Sequence, residues 1–98
     1  MTRAERVWID AILQLGCIVC MRERLGQSPA EVHHMLRGGR RLGHMHSIPL
    51  CYQHHRSGRD DAEVTSRDHN QRRFEARYGA ENALLFECQG LVAKLEAA

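Results

Sequence analysis

Four residues that bind zinc well occur in this chain as two closely spaced pairs, and they constrain its fold more than any other feature. Cys17 and Cys20 form a C-x-x-C pair, and Cys51 and His54 form a C-x-x-H pair. Structural zinc takes four nitrogen or sulfur ligands in a tetrahedron, and one tight turn of either spacing supplies two of them. With a β element between the pairs, the pattern predicts a closed Cys3His site. The alternatives are a redox pair, which lacks the surrounding βαβ pattern, and reduced core thiols.

Size and composition explain why such a site would be needed. The chain has 98 residues, with one Trp, two Tyr and two Phe, and a core this small and poor in aromatic residues leaves little net stability. No stretch approaches the ~18 apolar residues of a membrane span, and Gly16 interrupts the apolar run that a secretory signal would need. We therefore expect a single cytoplasmic domain over residues 1–98, in which cysteines are more often metal ligands or free thiols than disulfides.

Local patterns predict an α+β domain in which a small β element lies between helices. Thr2 and Glu5 form a capping box before an amphipathic helix over Arg3–Leu15. A loop is expected over residues 22–30, followed by extended segments over residues 31–36 and 47–50 with a Gly38-Gly39 turn between them. One or two helical turns are expected within residues 53–58. Two further helices are expected over residues 68–78, with Thr65 or Asp68 as the cap, and over residues 81–96. Pro49 confines its segment to a sheet edge or a strand end. Cys88, on the apolar face of the last helix, is expected to be a buried thiol without a role.

All seven histidines lie in the middle of the chain, between residues 33 and 69. Adjacent residues of a regular strand point to opposite faces, so His33 and His34 would have different roles, one holding a metal ion and the other a water. His55 follows the predicted zinc ligand His54 and would point away from the zinc, toward that strand. Together these histidines indicate a second, hydrolytic metal site. The alternative is that His33 and His34 are inert strand residues that only pack or hydrogen-bond.

A basic segment without acidic residues also occupies the middle of the chain. Residues 32–59 contain five Arg and no Asp or Glu, and Lys94 is the only lysine among the 14 basic residues of the chain. Arg presents a planar fork of donors that matches phosphate, so an anionic partner is expected. The expected phosphate contacts are Arg37, Arg40, Arg41 and Arg56. The alternative is a solvated, Arg-rich loop.

Three motifs together resemble the zinc-bearing HNH nucleases, also called ββα-metal or His-Me finger endonucleases. They are Cys17-x-x-Cys20, Val32-His33-His34 and Pro49-Leu50-Cys51-x-x-His54-His55. A narrower similarity, to the phage recombination-enhancement nucleases that act with RecA, rests on these segments: Gly43-His44, Ile48-Pro49-Leu50-Cys51-x-x-His54-His55-x-x-Gly58 and Phe74-Glu75-x-x-Tyr78-Gly79. The resemblance covers roughly residues 17–79.

The resemblance implies a role for each matching residue. The two pairs described above match the residues that hold a structural Zn²⁺, with His54 standing where many relatives have Cys. His33 and His55 match the ligands of a catalytic divalent cation, Mg²⁺ or Mn²⁺. His34 matches the general base that activates the attacking water.

Two departures from the HNH pattern affect the predicted catalytic site. The asparagine that braces the general base in these nucleases is absent, and His44 or His46 stands in that stretch. The metal ligand often found four residues after His55 falls on Arg59, which cannot bind a cation. Either His69 replaces this ligand or the site uses fewer protein ligands.

The function predicted from these features is that of an HNH-type DNA endonuclease, with a ββα-metal core over about residues 17–59 and a helical extension over about residues 66–96. The resemblance implies phage or prophage recombination in the bacterial cytoplasm as its setting. It implies DNA as the substrate and a RecA filament on single-stranded DNA as the partner. Two alternatives stay open: a non-catalytic zinc module that binds nucleic acid or a recombination partner, and a metal-dependent hydrolase of another substrate.

Overall fold

The computed structural model describes residues 1–97, which form helices and short strands of an α+β fold. In chain order the elements are α1 (Arg3–Leu15), α2 (Ile18–Arg22), β1 (Glu31–His34), β2 (Leu36–Arg37), β3 (Arg40–Arg41), β4 (Ser47–Leu50), α3 (Tyr52–His55), α4 (Gln71–Tyr78) and α5 (Glu81–Ala97). The fold class predicted from the sequence is confirmed. None of the helices within residues 1–97 is long and apolar enough to cross a membrane.

The helix α1 begins at the predicted capping box and carries a tryptophan into the core. The backbone N–H of Glu5 donates to Thr2 Oγ1 over 3.1 Å, and the backbone N–H of Thr2 donates to Glu5 Oε1 over 2.7 Å. Trp8 and Ile12 on the inner face of the helix are buried. The indole N–H of Trp8 donates to the carbonyl oxygen of Ser47 over 3.2 Å. A hydrogen bond therefore joins α1 to β4 in addition to packing.

The strands β1 and β4 pair as a two-stranded antiparallel sheet. His33 lies opposite Ile48, and His34 lies opposite Ser47. Both strands of such a sheet are edge strands, so Pro49 removes no hydrogen bond from the centre of a sheet, as predicted. The short helix α3 follows β4 almost directly and packs against both strands, so that β1, β4 and α3 form a ββα unit.

Residues 31–36 form two strands rather than the single extended segment that their sequence predicts. The break falls at Met35, which is buried and whose backbone N–H donates to the carbonyl oxygen of His46 over 2.9 Å. After this break β2 and β3 form a hairpin around Gly38 and Gly39. Their φ angles of 57° and 77° lie in the left-handed region that a tight two-residue hairpin turn requires. The predicted turn is therefore confirmed.

The helix α4 begins at Gln71, later than the sequence predicts, because a different residue caps it. Asn70 Oδ1 accepts the backbone N–H of Arg73 over 3.1 Å. The predicted cap Asp68 instead lies in an irregular segment beside α3, where its backbone N–H donates to the carbonyl oxygen of His55 over 2.9 Å. This difference of a few residues determines where the side chain of Asp68 lies relative to the histidines.

The two C-terminal helices complete the core. Phe74 and Tyr78 of α4 and Leu84 and Cys88 of α5 are buried, and α5 packs against α1 and β4. Burial raises the pKa of Cys88 to about 12. Cys88 is therefore an un-ionised core thiol, in agreement with the sequence prediction.

Alanine substitutions at two glycines are expected to change the free energy of unfolding in opposite directions. Gly16 has a φ of 83°, and a Cβ there would lie 2.6 Å from the carbonyl oxygen of Ser28. We expect Gly16→Ala to lower the free energy of unfolding by about 1–3 kcal/mol, because the alanine would be strained and would contact the backbone. Gly90 lies inside α5, and apart from its chain neighbours and the backbone of its own helix no atom lies within 4 Å of an added Cβ. Gly90→Ala should raise the free energy of unfolding by about 0.5–1 kcal/mol.

Urea denaturation of the two variants, each with its metal content matched to the wild type, measures both changes. An unchanged or increased stability of Gly16→Ala would contradict the path that the chain follows at residue 16.

Candidate metal centres and catalytic cleft

The two predicted zinc pairs meet in one cluster, which we call the Cys3His cluster. Cys17 and Cys20 lie at the start of α2, a helix not predicted from the sequence, and Cys17 caps it by accepting the backbone N–H of Cys20 at Sγ over 3.4 Å. Cys51 and His54 lie at the start and in the last turn of α3. Cys51 is partly buried and the other three residues are buried. Their donor atoms all lie within 4.8 Å of one another.

The distances within the Cys3His cluster suit zinc. Cys20 Sγ lies 3.8 Å from Cys51 Sγ, and His54 Nδ1 lies 3.8, 3.6 and 3.2 Å from the three sulfurs. A tetrahedron with Zn–S distances of ~2.3 Å and Zn–N distances of ~2.0 Å has edges of roughly 3.5–3.8 Å. The four residues could therefore hold one Zn²⁺ ion with only small shifts.

Burial controls the ionisation of three of these residues. It raises the pKa of the Cys17 thiol to about 12 and also raises the pKa of Cys20. Burial lowers the pKa of His54, so its imidazole is neutral at neutral pH. The buried thiols need a nearby cation before they can ionise, and a Zn²⁺ ion on these donors would provide that positive charge.

A second group of potential metal ligands, the HHD group, comprises His33, His55 and Asp68. Their donor atoms also lie within 4.8 Å of one another. β1 supplies His33 and α3 supplies His55, and the two ring centroids are 5.1 Å apart. Asp68 joins them because its backbone is hydrogen-bonded to the carbonyl oxygen of His55. The two histidines that the sequence predicts as ligands of a second metal are thus brought together.

A carboxylate contacts each histidine of the HHD group. Glu81 Oε1 lies 2.5 Å from His33 Nε2, and Glu31 Oε1 lies 2.9 Å from His55 Nδ1. Such contacts orient a ring and leave its other nitrogen for a cation. Arg56 binds Glu31, with Nη2 lying 2.6 Å from Oε2. This ion pair, with His55 adding to it, lowers the pKa of Glu31 to about 2.

The predicted general base, His34, contacts a second histidine. His34 Nε2 lies 3.1 Å from His44 Nδ1, with the rings nearly perpendicular. Burial, followed by the positive charge of Arg41, lowers the pKa of His34, so its ring is neutral at neutral pH. Of the two histidines predicted to brace His34, His44 makes the contact, whereas His46 is exposed.

Both histidines of the doublet border one cleft of about 290 Å³. Its lining residues are Val32, His33, His34, Leu36, Arg41, His55, Arg67 and Asp68. The cleft therefore combines a neutral imidazole, a set of potential metal ligands and two guanidinium groups. Phosphodiester hydrolysis requires a base for water, a cation for the developing charge and basic groups that hold the phosphate.

The remaining predicted site residues lie elsewhere. His69 lies 3.7 Å from Asp60 and is outside the HHD group. Arg37 and Arg40 are exposed on the β2–β3 hairpin. Arg56 is exposed to solvent, but its guanidinium is paired with Glu31 as described above.

Four residues at the HHD group were not identified from sequence, and one of them, Glu31, is predicted only as the first residue of an extended segment. Asp68 is predicted only as a helix cap, Glu81 only as the first residue of a helix, and Arg67 only as part of a linker. Acidic residues at helix starts are common because of the helix dipole, so their sequence positions do not single them out. The one available indication in the sequence is Arg59, which stands where a metal ligand is often found and leaves that position open to a residue of another segment.

The comparison with known proteins identifies one family. A family model described as "Recombination enhancement, RecA-dependent nuclease" matches residues 1–93. The match includes the Cys3His cluster, the HHD group and both C-terminal helices up to residue 93. No curated protein matches the chain.

The Cys3His cluster leads to a prediction about zinc content. We expect one Zn²⁺ per wild-type chain, loss of that ion in Cys20→Ser, and retention of it in the control Cys88→Ala, because Cys88 is buried outside the cluster. Binding energy at such a site is folding free energy, so a strong chelator should abolish the cooperative thermal transition of the wild type. Elemental analysis and thermal melting provide the measurements. A zinc-free preparation that melts at the wild-type temperature would contradict this prediction.

Proposed function

This chain belongs to the family of recombination-enhancement, RecA-dependent nucleases, and we propose that it is a metal-dependent, HNH-type endonuclease that hydrolyses phosphodiester bonds in DNA. The observation that carries the proposal is the cleft in which His34 lies beside His33, His55 and Asp68. The description of the family names RecA dependence, and the partner proposed here is a RecA filament on single-stranded DNA. A structural Zn²⁺ on the Cys3His cluster is part of the same proposal.

In the proposed mechanism His34 is the general base. One of its ring nitrogens, Nε2, is held by His44 at 3.1 Å, and the other is left to accept a proton from water. A general base must be unprotonated before it acts, which agrees with the burial of His34 beside Arg41. His44 would thereby take the bracing role that an asparagine has in the nucleases this chain resembles.

The proposed ligands of the catalytic cation are His33, His55 and Asp68. When bound there, a divalent cation would neutralise negative charge that develops on the phosphate and on the leaving oxygen. Two imidazoles suit Mn²⁺, and the carboxylate also admits Mg²⁺ with water and phosphate in the remaining positions. Asp68 takes the third position in preference to His69, because His69 faces Asp60 instead.

The basic residues of the cleft are proposed to hold the DNA backbone. Arg41 lines the cleft itself and would contact phosphates beside the scissile bond, whereas Arg67, which also lines it, is paired with Glu81 and Asp68. Arg37 and Arg40 extend the positive surface along the exposed β2–β3 hairpin. Arg56 would contribute less, because Glu31 already neutralises its charge. Contacts of this kind position the strand without reading its sequence.

The role of His34 is tested by one variant and one control. We expect His34→Ala to cleave DNA about 10²–10⁴-fold more slowly, since general-base catalysis contributes on that scale, while its zinc content, melting temperature and DNA binding remain those of the wild type. The control His46→Ala alters an exposed histidine of the same stretch and should cleave at the wild-type rate. Rates are measured in Mg²⁺ and in Mn²⁺ on single-stranded, duplex and RecA-coated DNA.

Two results would count against this assignment. Cleavage by His34→Ala at the wild-type rate would mean that another group is the base. A wild-type protein that binds DNA but cleaves none of these substrates in either metal would favour the non-catalytic zinc module.

The identity of the third metal ligand is tested by comparing variants of two neighbouring residues, Asp68 and His69. We expect Asp68→Asn to need about 10–100-fold more Mn²⁺ for half-maximal cleavage, because the substitution replaces the negatively charged carboxylate ligand by a neutral amide. The neighbouring variant His69→Ala should show the wild-type dependence, since His69 lies against Asp60. Cleavage rates across a Mn²⁺ titration distinguish the two residues. The opposite result, with only His69→Ala affected, would transfer the third position to His69.

A further inference from the structure

Glu81 is a buried carboxylate that joins the last helix to two residues of the cleft. It is the first residue of α5, and only 4% of its surface is exposed. Its Oε1 lies 2.5 Å from His33 Nε2, and its Oε2 lies 3.3 Å from Arg67 Nε. Burial by itself would raise the pKa of Glu81, but the contacts with His33 and then with Arg67 outweigh it. The pKa of Glu81 is therefore lower than that of a free carboxyl. A carboxylate is costly to bury, so it is retained only where such donors compensate it.

We propose that Glu81 is a positioning residue for the catalytic metal site. Its carboxylate accepts a hydrogen bond from the Nε2–H of His33, which fixes the tautomer in which Nδ1 carries the lone pair. The ring would then offer Nδ1 to a cation without first losing a proton there. This inference rests on the proposed function, because that function makes His33 a metal ligand.

The partner histidine of the HHD group supports this role by analogy within the same molecule. Glu31 contacts Nδ1 of His55 over 2.9 Å, in the same way that Glu81 contacts Nε2 of His33. Each ligand histidine therefore has its own carboxylate, and the two carboxylates come from elements far apart in the chain. Carboxylates in this position raise the basicity of a ligand imidazole and hold its ring in place.

Arg67 extends the same arrangement to the third ligand. Besides its contact with Glu81, its Nη1 lies 3.6 Å from Asp68 Oδ1. Its backbone N–H donates to the carbonyl oxygen of His54 over 2.8 Å, which keeps the residue beside α3. Arg67 thus compensates two carboxylates at once, and a change at Glu81 is expected to alter ligand geometry through both His33 and Arg67.

A purely structural role is the competing explanation, since Glu81 also fastens α5 to β1. The substitution Glu81→Gln separates the two. Glutamine has nearly the same shape, and its carbonyl oxygen still accepts from His33 Nε2–H, but it carries no charge to strengthen the ligand. The matched control is Glu75→Gln, because Glu75 Oε2 accepts the backbone N–H of Glu81 over 2.7 Å and the control alters the same helix start without touching His33.

The experiment measures Mn²⁺ binding directly, by electron paramagnetic resonance of free Mn²⁺ in zinc-loaded protein without DNA, together with cleavage rates across a Mn²⁺ titration. We expect Glu81→Gln to bind Mn²⁺ about 10–100-fold more weakly, while cleavage at saturating Mn²⁺ stays within a few-fold of the wild type. Glu75→Gln should bind Mn²⁺ as the wild type does. Unchanged Mn²⁺ affinity in Glu81→Gln overturns the proposal, whatever its melting temperature.

A second measurement needs no variant and so remains decisive if Glu81→Gln does not fold. Nitrogen-15 spectra of the wild-type imidazoles in Mg²⁺ should show His33 protonated at Nε2 and unprotonated at Nδ1. The opposite tautomer, or a ring protonated at both nitrogens under these conditions, overturns the proposal. Failure of the proposed function gives a different result. A zinc-loaded wild type that binds no Mn²⁺ and cleaves no DNA would contradict both the proposed function and the role of Glu81. A wild type that binds Mn²⁺ and cleaves while Glu81→Gln behaves identically removes only the role of Glu81.

Discussion

The meeting of four donor atoms in the Cys3His cluster is the contact on which the rest of the structure depends. It joins the start of α2 to the end of β4 and to α3, across a separation of more than 30 residues between Cys17 and Cys51. Because His54 points into this cluster, the next residue, His55, is directed away from it and toward β1, where its ring lies 5.1 Å from that of His33. The geometry of the HHD group is therefore a consequence of the cluster, and a metal ion held there would stabilise a small core at the same point.

The HHD group depends in turn on acidic residues from three parts of the chain. Glu31 begins β1, Asp68 lies in the segment before α4, and Glu81 begins α5. Two adjacent imidazoles without such partners would be free to rotate and to change tautomer. Both changes would weaken the binding of a metal ion, which requires ligand rings of fixed orientation and tautomer. The C-terminal helices thus do more than cover the ββα unit: α5 supplies a buried contact to a residue of the cleft.

The tertiary structure accommodates two departures from the HNH pattern. Arg59 stands where a metal ligand often lies in that pattern, and Asp68 reaches the HHD group from a segment that returns along α3. No asparagine braces the predicted base, and His44 contacts His34 instead. In the function proposed for this chain, Asp68 supplies the ligand that Arg59 cannot supply, and His44 supplies the hydrogen bond of the missing asparagine.

The amino-acid sequence by itself determined the features that involve neighbouring residues: the capping box of α1, the Gly38-Gly39 turn and the spacing of each zinc pair. These could be predicted because each depends on contacts within about four positions. Histidine clustering also predicted that His33 and His55 would meet. Only the tertiary structure decided which carboxylates support them, since Glu31 and Glu81 reach their histidines across 24 and 48 residues. The physical reason is that a local pattern records whether a side chain is polar, whereas its partner is set by how distant elements pack.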